Sequence, residues 1–194
     1  MKTLLITASA LLFSSLSSMA YADANEGVLE GKYVPVSGFS HSREVSRVSL
    51  GEAPKQVGKF KVVFKREGWA ALSEEDKNRI RKRLVIKGEY TGVMNMSNQT
   101  LAHTMVNKDK SGTLYSEGDF LIPSQGDPFC SAGEPLQGVE QMNIVAGTGE
   151  FANISSGTLF LKADVNNCPG TDGFLSNKFE FVAGEGSLEF SSSN

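Results

Sequence analysis

Few side chains in this sequence are arranged for catalysis, and histidine is the scarcest of them. The chain has two histidines, so a serine–histidine–aspartate triad would depend on one of them as its base. His41 lies in the polar stretch Ser40–Ser42, whereas His103 alternates with Leu101 and Met105 on one face of a predicted strand. If that face points into a barrel, His103 is a buried imidazole and the best polar candidate in a ligand cavity. A structural or exposed histidine remains the alternative.

Recognised motifs for phosphate, metal or nucleophile chemistry do not occur in the sequence. It contains no Walker loop, no Gly-x-Ser-x-Gly elbow and no His-Glu-x-x-His pair. The run Asn107-x-Asp109-x-Ser111-Gly112 imitates the start of an EF-hand loop, but the acid required at the twelfth position falls on Gly118. We therefore expect a hairpin turn there rather than a calcium site.

The first 22 residues have the order of a secretory signal peptide. Lys2 supplies a positive start, an apolar run follows over residues 4–16, and Ala20-Tyr21-Ala22 is a small-x-small cleavage site. The run is too short to span a bilayer, and a buried N-terminal helix is the alternative. We expect residues 23–194 to form a single domain that is secreted or periplasmic, with no membrane span.

Export determines how the two cysteines are interpreted. Cys130 and Cys168 both lie in turn-rich segments, and an even number of cysteines in an exported chain predicts a disulfide. That bridge would close a loop of about 39 residues and contribute on the order of 3–4 kcal/mol to stability. A reactive thiol pair is the alternative, but the spacing is not Cys-x-x-Cys.

Composition and charge exclude several classes of protein. With 40% hydrophobic and 21% charged residues, the chain is neither largely disordered nor a multi-spanning membrane protein. The leader holds one lysine and no acid, so the rest of the chain has a formal net charge of −4, against −3 for the whole. This balance gives no electrostatic footprint for nucleic acid. Two cysteines and two histidines cannot build a zinc-finger array or an iron–sulfur site.

Short extended runs separated by turns make up most of the chain. Lys59–Lys65 places Phe60, Val62 and Phe64 on one face and lysines on the other, which is typical of a half-buried strand. Roughly eight to ten such runs, with 20 glycines, predict an all-β barrel or sandwich. The other predicted strands are Val85–Met96, Thr100–Asn107, Thr113–Ile122, Val139–Ala146, Ser156–Val165, Lys178–Ala183 and Ser187–Phe190, with weaker ones over Tyr33–Phe39 and Glu44–Leu50.

One segment interrupts the strand pattern and predicts a short helix over residues 74–84. Ser73 is a favourable N-cap, the first turn is acidic, and Arg79–Arg83 is rich in positive charge, so both ends complement the helix dipole. The basic cluster is interpreted as a solvated face rather than a nucleic-acid site, because the protein is acidic overall. Trp69 precedes the helix, and we expect it to anchor that helix.

A longer stretch resembles a known superfamily. The run Ser111–Phe120 is followed by Met142–Gly157, in which Ala146-Gly147-Thr148-Gly149-Glu150-Phe151 ends one strand and a stretch of small residues begins the next. This resembles the core of the allene oxide cyclase and dirigent protein superfamily over roughly residues 105–185. Ala146 replaces the first glycine of the family's turn, and Ser155-Ser156-Gly157 stands where the family carries Ala-Arg-Gly or Ala-Tyr-Gly. No catalytic residue can be carried over, because residues 23–104 do not align.

The resemblance implies a closed or nearly closed antiparallel barrel of about eight strands, with a cavity for a small hydrophobic or phenolic ligand and with no metal and no cofactor. The first hypothesis is therefore an exported, non-catalytic ligand-binding barrel. The second is a cofactor-independent cyclase or isomerase, which two inward acids beside aromatics would favour. A packed barrel acting as a structural or interaction module is the third, which a filled interior would favour. The oligomeric state does not follow from the sequence.

Alternation along the strands predicts which side chains line the interior. Ile86, Tyr90 and Met94 share one face, and His103 is expected to share the cavity with Tyr90. On the strand Thr113–Ile122, alternation in its simplest form places Leu114 and Phe120 inward and Glu117 and Asp119 outward, because unpaired charges are rarely buried. The predicted ligand-binding residues are Tyr90, His103 and Phe120.

Overall fold

The computed structural model describes residues 27–47 and 50–192, and its strands close into one barrel. Each strand pairs antiparallel with the next, and the first closes the barrel against the eighth. The predicted all-β barrel of about eight strands is thus confirmed. The strands are β1 Gly31–Glu44, β2 Lys55–Arg66, β3 Arg83–Asn95, β4 Thr100–Asn107, β5 Gly112–Gln125, β6 Leu136–Gly149, β7 Ile154–Asn166 and β8 Ser176–Phe190.

A disulfide marks one end of the barrel. Cys130, in the loop between β5 and β6, is bonded to Cys168, in the loop between β7 and β8, with 5.2 Å between their Cα atoms. This confirms the predicted bridge, and we call this the disulfide end. Disulfides are typical of oxidising compartments. The predicted leader, residues 1–22, lies outside the described residues, so export stays a prediction.

The opposite end carries the long connection between β2 and β3, and we call it the helix end. The helix there is α1, Glu74–Arg79, shorter than the predicted 74–84. Ser73 caps it as expected, accepting a hydrogen bond from the Asp76 amide. The chain leaves the helix at Ile80, which is extended, buried and bridged to Val28. Burying Ile80 in that bridge ends the helix early. None of the described helices is both long and apolar enough to cross a bilayer.

Two of the predicted strand boundaries are wrong. Lys178–Ala183 and Ser187–Phe190 belong to one continuous strand, β8. No described residue beyond Glu44 continues a strand towards Leu50, because the Glu44 carboxylate accepts hydrogen bonds from the amides of Val45, Ser46 and Lys55. Those bonds turn the chain out of β1 towards β2.

The interior of the barrel has two chemically different halves. The half towards the helix end is packed with large apolar side chains, among them the fully buried Phe151, which follows the end of β6. The half towards the disulfide end is polar. Its buried polar side chains include Ser40, Ser42, Glu44, Gln56, His103, Ser116, Asp119, Glu140 and Asn177.

Candidate functional site

Three titratable side chains meet inside the polar half. His103 projects inward from β4, Asp119 from β5 and Glu140 from β6, and each is at most 3% exposed. The three strands are neighbours in the barrel wall. Asp119 pairs with Leu101, two residues before His103 on β4, and Glu140 pairs with Leu121, two residues after Asp119 on β5. We call His103, Asp119 and Glu140 the buried triad.

A β-bulge at Gly118 turns Asp119 into the barrel. Three steps along β5 from Ser116 to Asp119 lie opposite two steps along β4 from His103 to Leu101. Gly118 adopts a φ of +65°, in the left-handed region that glycine accepts readily. The extra residue reverses the alternation, so the predicted outward position of Asp119 and inward position of Phe120 are both wrong. Phe120 is 38% exposed on the outer face, whereas Glu117 points outward as predicted.

Asp119 fixes the orientation of the imidazole. His103 Nδ1 donates a hydrogen bond of 2.8 Å to Asp119 Oδ2, and the Ser116 hydroxyl donates to the same oxygen. The other carboxylate oxygen accepts a hydrogen bond of 2.7 Å from the backbone amide of Asn143. Because the carboxylate only accepts, the proton lies on Nδ1, and the second ring nitrogen, Nε2, faces the interior.

Glu140 is the member of the triad without a hydrogen bond at one of its oxygens. Its Oε1 is fully buried with no hydrogen-bond partner, 3.6 Å from His103 Nε2. Burial raises the pKa of Glu140. Burial lowers the pKa of His103, but the charge of Glu140 and the hydrogen bond to Asp119 outweigh it and hold that pKa above its ordinary value. The pair therefore retains a proton to higher pH than the separate groups would.

Gly92 and Gln56 shape the space beside Nε2. A Cβ at Gly92 would lie 2.7 Å from His103 Cδ2 and Nε2, so the glycine makes room for the imidazole. The Gln56 amide nitrogen lies 3.5 Å from Nε2. Its amide oxygen accepts hydrogen bonds from Ser42 and Asn177, which hold the side chain in place.

Tyr90 lies next to His103, the neighbour that the sequence predicted for it. Its ring centroid is 5.9 Å from that of His103, and its hydroxyl accepts a hydrogen bond of 2.9 Å from Ser40. Burial raises the pKa of Tyr90. The structure thus brings two of the three predicted ligand-binding residues together, and a ligand-binding role for them stays a prediction.

A cavity of about 50 Å³ opens beside Glu140 under the disulfide-end loops. In the part of the chain that the structure describes, three buried side-chain atoms lack a hydrogen-bond partner: Glu140 Oε1, Asn167 Oδ1 and Asn177 Oδ1. All three residues line this cavity, and all three atoms are acceptors. The rest of the wall consists of Glu44, Gln56 and Gly92 and of the apolar side chains of Pro54, Met94, Leu101, Leu121, Pro128, Val165 and Phe179.

The triad also has the composition of a metal site. One nitrogen or oxygen from each of its three residues lies within 4.8 Å of the others. Imidazole and carboxylate are common ligands of divalent ions. The arrangement can therefore exchange protons, accept hydrogen bonds from a ligand, or hold a cation.

Sequence reasoning missed Asp119 and Glu140, although each had a signal. Gly118 interrupts a predicted strand, and a glycine inside a strand often marks a bulge. Glu140 shares its alternation with Met142 and Ile144, both buried. A charge on an apolar face is an exception that points to a site.

Comparisons of the chain with protein-family models, with curated proteins and with solved structures found no match. The resemblance to the allene oxide cyclase and dirigent superfamily stays a prediction based on the sequence.

Proposed function

We propose that this protein binds a small molecule at the disulfide end of the barrel, with a hydroxyl or amine of that molecule donating a hydrogen bond to Glu140. The observation that carries the proposal is that the three residues with an unpartnered buried acceptor all line one cavity. A buried acceptor without a donor costs about 1–3 kcal/mol. A ligand that supplies donors recovers that energy, which gives the cavity a reason to be occupied.

The size of the cavity limits how such a ligand enters. About 50 Å³ accommodates water-sized groups, whereas a cavity that binds benzene is about 150 Å³. We therefore place the donor group in the cavity and the apolar body of the ligand between the disulfide-end loops, beside Pro54 and Pro128. A phenol or a short alcohol has this division into a polar head and an apolar body.

A matched pair of probes tests the proposal. Phenol and anisole differ in the hydroxyl hydrogen, which anisole lacks. We expect phenol to shift the amide resonances of cavity residues and to bind about tenfold more tightly than anisole, as one hydrogen bond predicts. The preference should disappear in Glu140→Leu and persist in Glu117→Gln, which removes an exposed acid from the neighbouring strand. Equal binding of the two probes, or a preference unchanged in Glu140→Leu, would refute the proposal.

The triad favours a second candidate function, cofactor-independent proton transfer. Two inward acids lie beside an imidazole and a tyrosine, and burial raises the pKa of Glu140. A raised pKa makes a carboxyl a better proton acceptor when ionised and lets it keep a proton for donation to higher pH. This is the chemistry that a cyclase or isomerase requires.

Exchange of carbon-bound protons is the simplest test of that activity. Cyclohexanone in D₂O should exchange its α-protons faster with the protein than without it, and Glu140→Gln should abolish the acceleration. An acceleration that survives in Glu140→Gln would assign the exchange to other groups and reject this second function.

A further inference from the structure

We propose that His103 and Glu140 bind a divalent first-row transition-metal ion, with Asp119 orienting the imidazole. This inference goes beyond small-molecule binding and does not depend on it. It also departs from the expectation of no metal that the superfamily resemblance implied.

The separation of the two ligand atoms suits a shared ion. His103 Nε2 and Glu140 Oε1 are 3.6 Å apart, which is too long for a hydrogen bond. Two ligands that each lie about 2.1 Å from one tetrahedral ion are separated by about 3.4 Å. An ion between these atoms would need only a small adjustment of either side chain.

Asp119 supplies what a metal-bound histidine usually has behind it. Its carboxylate accepts the Nδ1 proton at 2.8 Å and is itself held by the Asn143 amide at 2.7 Å and by the Ser116 hydroxyl. This fixes the tautomer in which Nε2 carries the free electron pair. Histidine ligands of metals commonly donate their other N–H to a carboxylate in this way.

Glu140 provides a second observation that points to a ligand. Its Oε1 is buried, aimed at His103 and without a hydrogen-bond partner. The two carboxylates of the triad face one imidazole, and a divalent ion bound to neutral His103 would balance both negative charges. The cavity beside Glu140, about 50 Å³, leaves room for water molecules that complete the coordination shell.

The ligand set selects the class of ion. One imidazole and one carboxylate favour zinc and its first-row neighbours over magnesium and calcium, which prefer oxygen ligands only. Cobalt(II) is therefore a suitable spectroscopic probe, and zinc is the expected competitor.

The experiment uses the folded, disulfide-bonded protein after treatment with a chelator and exhaustive dialysis. Cobalt(II) is titrated and followed by its visible absorption and by the NMR signals of the two histidine rings. We expect one equivalent to bind, with paramagnetic broadening of the His103 ring and not of the His41 ring. Zinc should displace the cobalt, and magnesium should not.

Three variants locate the site. Glu140→Gln keeps the shape of the side chain but removes its charge, and it should weaken cobalt binding by at least about tenfold. Asp119→Asn should weaken it by about tenfold to a hundredfold and shift the ¹⁵N resonances of the His103 ring, which report its tautomer. His41→Gln removes the other histidine, exposed on the outer face, and should bind as the unmodified protein does.

Two results would overturn the proposal. One is an absence of saturable cobalt or zinc binding by the unmodified protein, which would leave the cavity to ordered water. The other is binding that is unchanged in Glu140→Gln or lost in His41→Gln. Phenol binding measured with chelator present separates the two proposals. Phenol binding without cobalt binding would reject the metal site alone, and cobalt binding without phenol binding would reject the proposed small-molecule function alone.

Discussion

Glu140 lies on β6 at the disulfide end of the barrel, and Glu150 directly follows β6 at the helix end. The two carboxylates differ in how many of their oxygens have a hydrogen-bond donor. At the helix end, the Glu150 carboxylate has donors at both oxygens. Arg81 lies 2.7 Å from Oε2, and the side-chain amide of Asn107 donates to Oε1 at 2.7 Å. The Ser111 hydroxyl also donates to Oε1. Glu140, at the disulfide end, keeps one oxygen without any donor.

The difference separates a structural acid from a candidate functional one. Glu150 connects the α1–β3 connection to two hairpin turns, and its charge is compensated by Arg81. Arg81 also donates to the backbone oxygen of Gly27, so the network ties four segments together. Buried polar groups are normally hydrogen-bonded. The unsatisfied Glu140 is therefore an exception to this rule, and it is the acid on which the proposed binding function rests.

The substitution Gly118→Val should have the largest effect on this comparison. Valine disfavours the left-handed φ of the bulge, and without the bulge the alternation of β5 would send Asp119 outward and Phe120 inward among polar side chains. We expect a loss of about 3–5 kcal/mol in the free energy of unfolding, because His103 then loses the carboxylate that orients it. Urea unfolding followed by tryptophan fluorescence measures it. The control is Gly133→Val in an exposed loop, where φ is +77° and an added Cβ would meet no atom within 4 Å, as at Gly118. A substitution at Gly118 that costs no more than the control would show that the bulge does not hold the site.

The substitution Glu150→Gln should destabilise the protein by about 1.5–3 kcal/mol, the range for hydrogen bonds to charged groups. The amide of glutamine cannot accept at both positions, and Arg81 is left without its counter-charge. Urea unfolding at neutral pH is the measurement. Glu67→Gln, at an exposed pair with Lys32, should change stability by less than about 1 kcal/mol. Equal effects at the two positions would mean that the helix-end network is not structural.

The corresponding substitution at the disulfide end, Glu140→Gln, should have the opposite effect on the free energy of unfolding. In chelator-treated protein at pH 8, Glu140→Gln should stabilise the fold by about 1–2 kcal/mol, because a neutral amide costs less to bury than an unsatisfied carboxylate. Differential scanning calorimetry should record a higher midpoint temperature. A lower midpoint would show that Glu140 contributes to stability like Glu150, and the distinction between the two acids would fail.

The contrast between the two halves also explains what the sequence could predict. Alternation placed Phe60, Ile86 and Tyr90 inward correctly, because β2 and β3 pair with each other without a bulge. The disulfide followed from two cysteines in turn-rich segments. These are local or compositional signals, and they are sufficient to predict which side chains fill the apolar half of the barrel.

The site depended on information that is not local. Asp119 faces the interior because one extra residue in β5 shifts its register against both neighbouring strands. The rule that charges avoid the interior then favoured the wrong face, since a buried charge becomes tolerable only with partners contributed by other strands. Ser116, His103 and the Asn143 amide are those partners, and their proximity is visible only once the barrel closes.

The smallest expected effect is a change in how stability depends on pH. The pKa values of both Glu140 and His103 are raised in the folded protein, so folding takes up protons above the ordinary glutamate pKa of about 4.3. The stabilisation is complete at lower pH and declines as the pH rises, first as the unfolded glutamate ionises and then through the unfolded histidine pKa of about 6.5. Between pH 5 and 8, with chelator present, we expect a loss on the order of 1 kcal/mol from this pair. The loss should be smaller in Glu140→Gln, which removes both the buried carboxyl and the charge that raises the pKa of His103, and unchanged in Glu117→Gln. Urea unfolding at several pH values measures the slope. A stability that rises with pH over this range in the unmodified protein, and equally in Glu140→Gln, would show that the buried triad holds no extra proton.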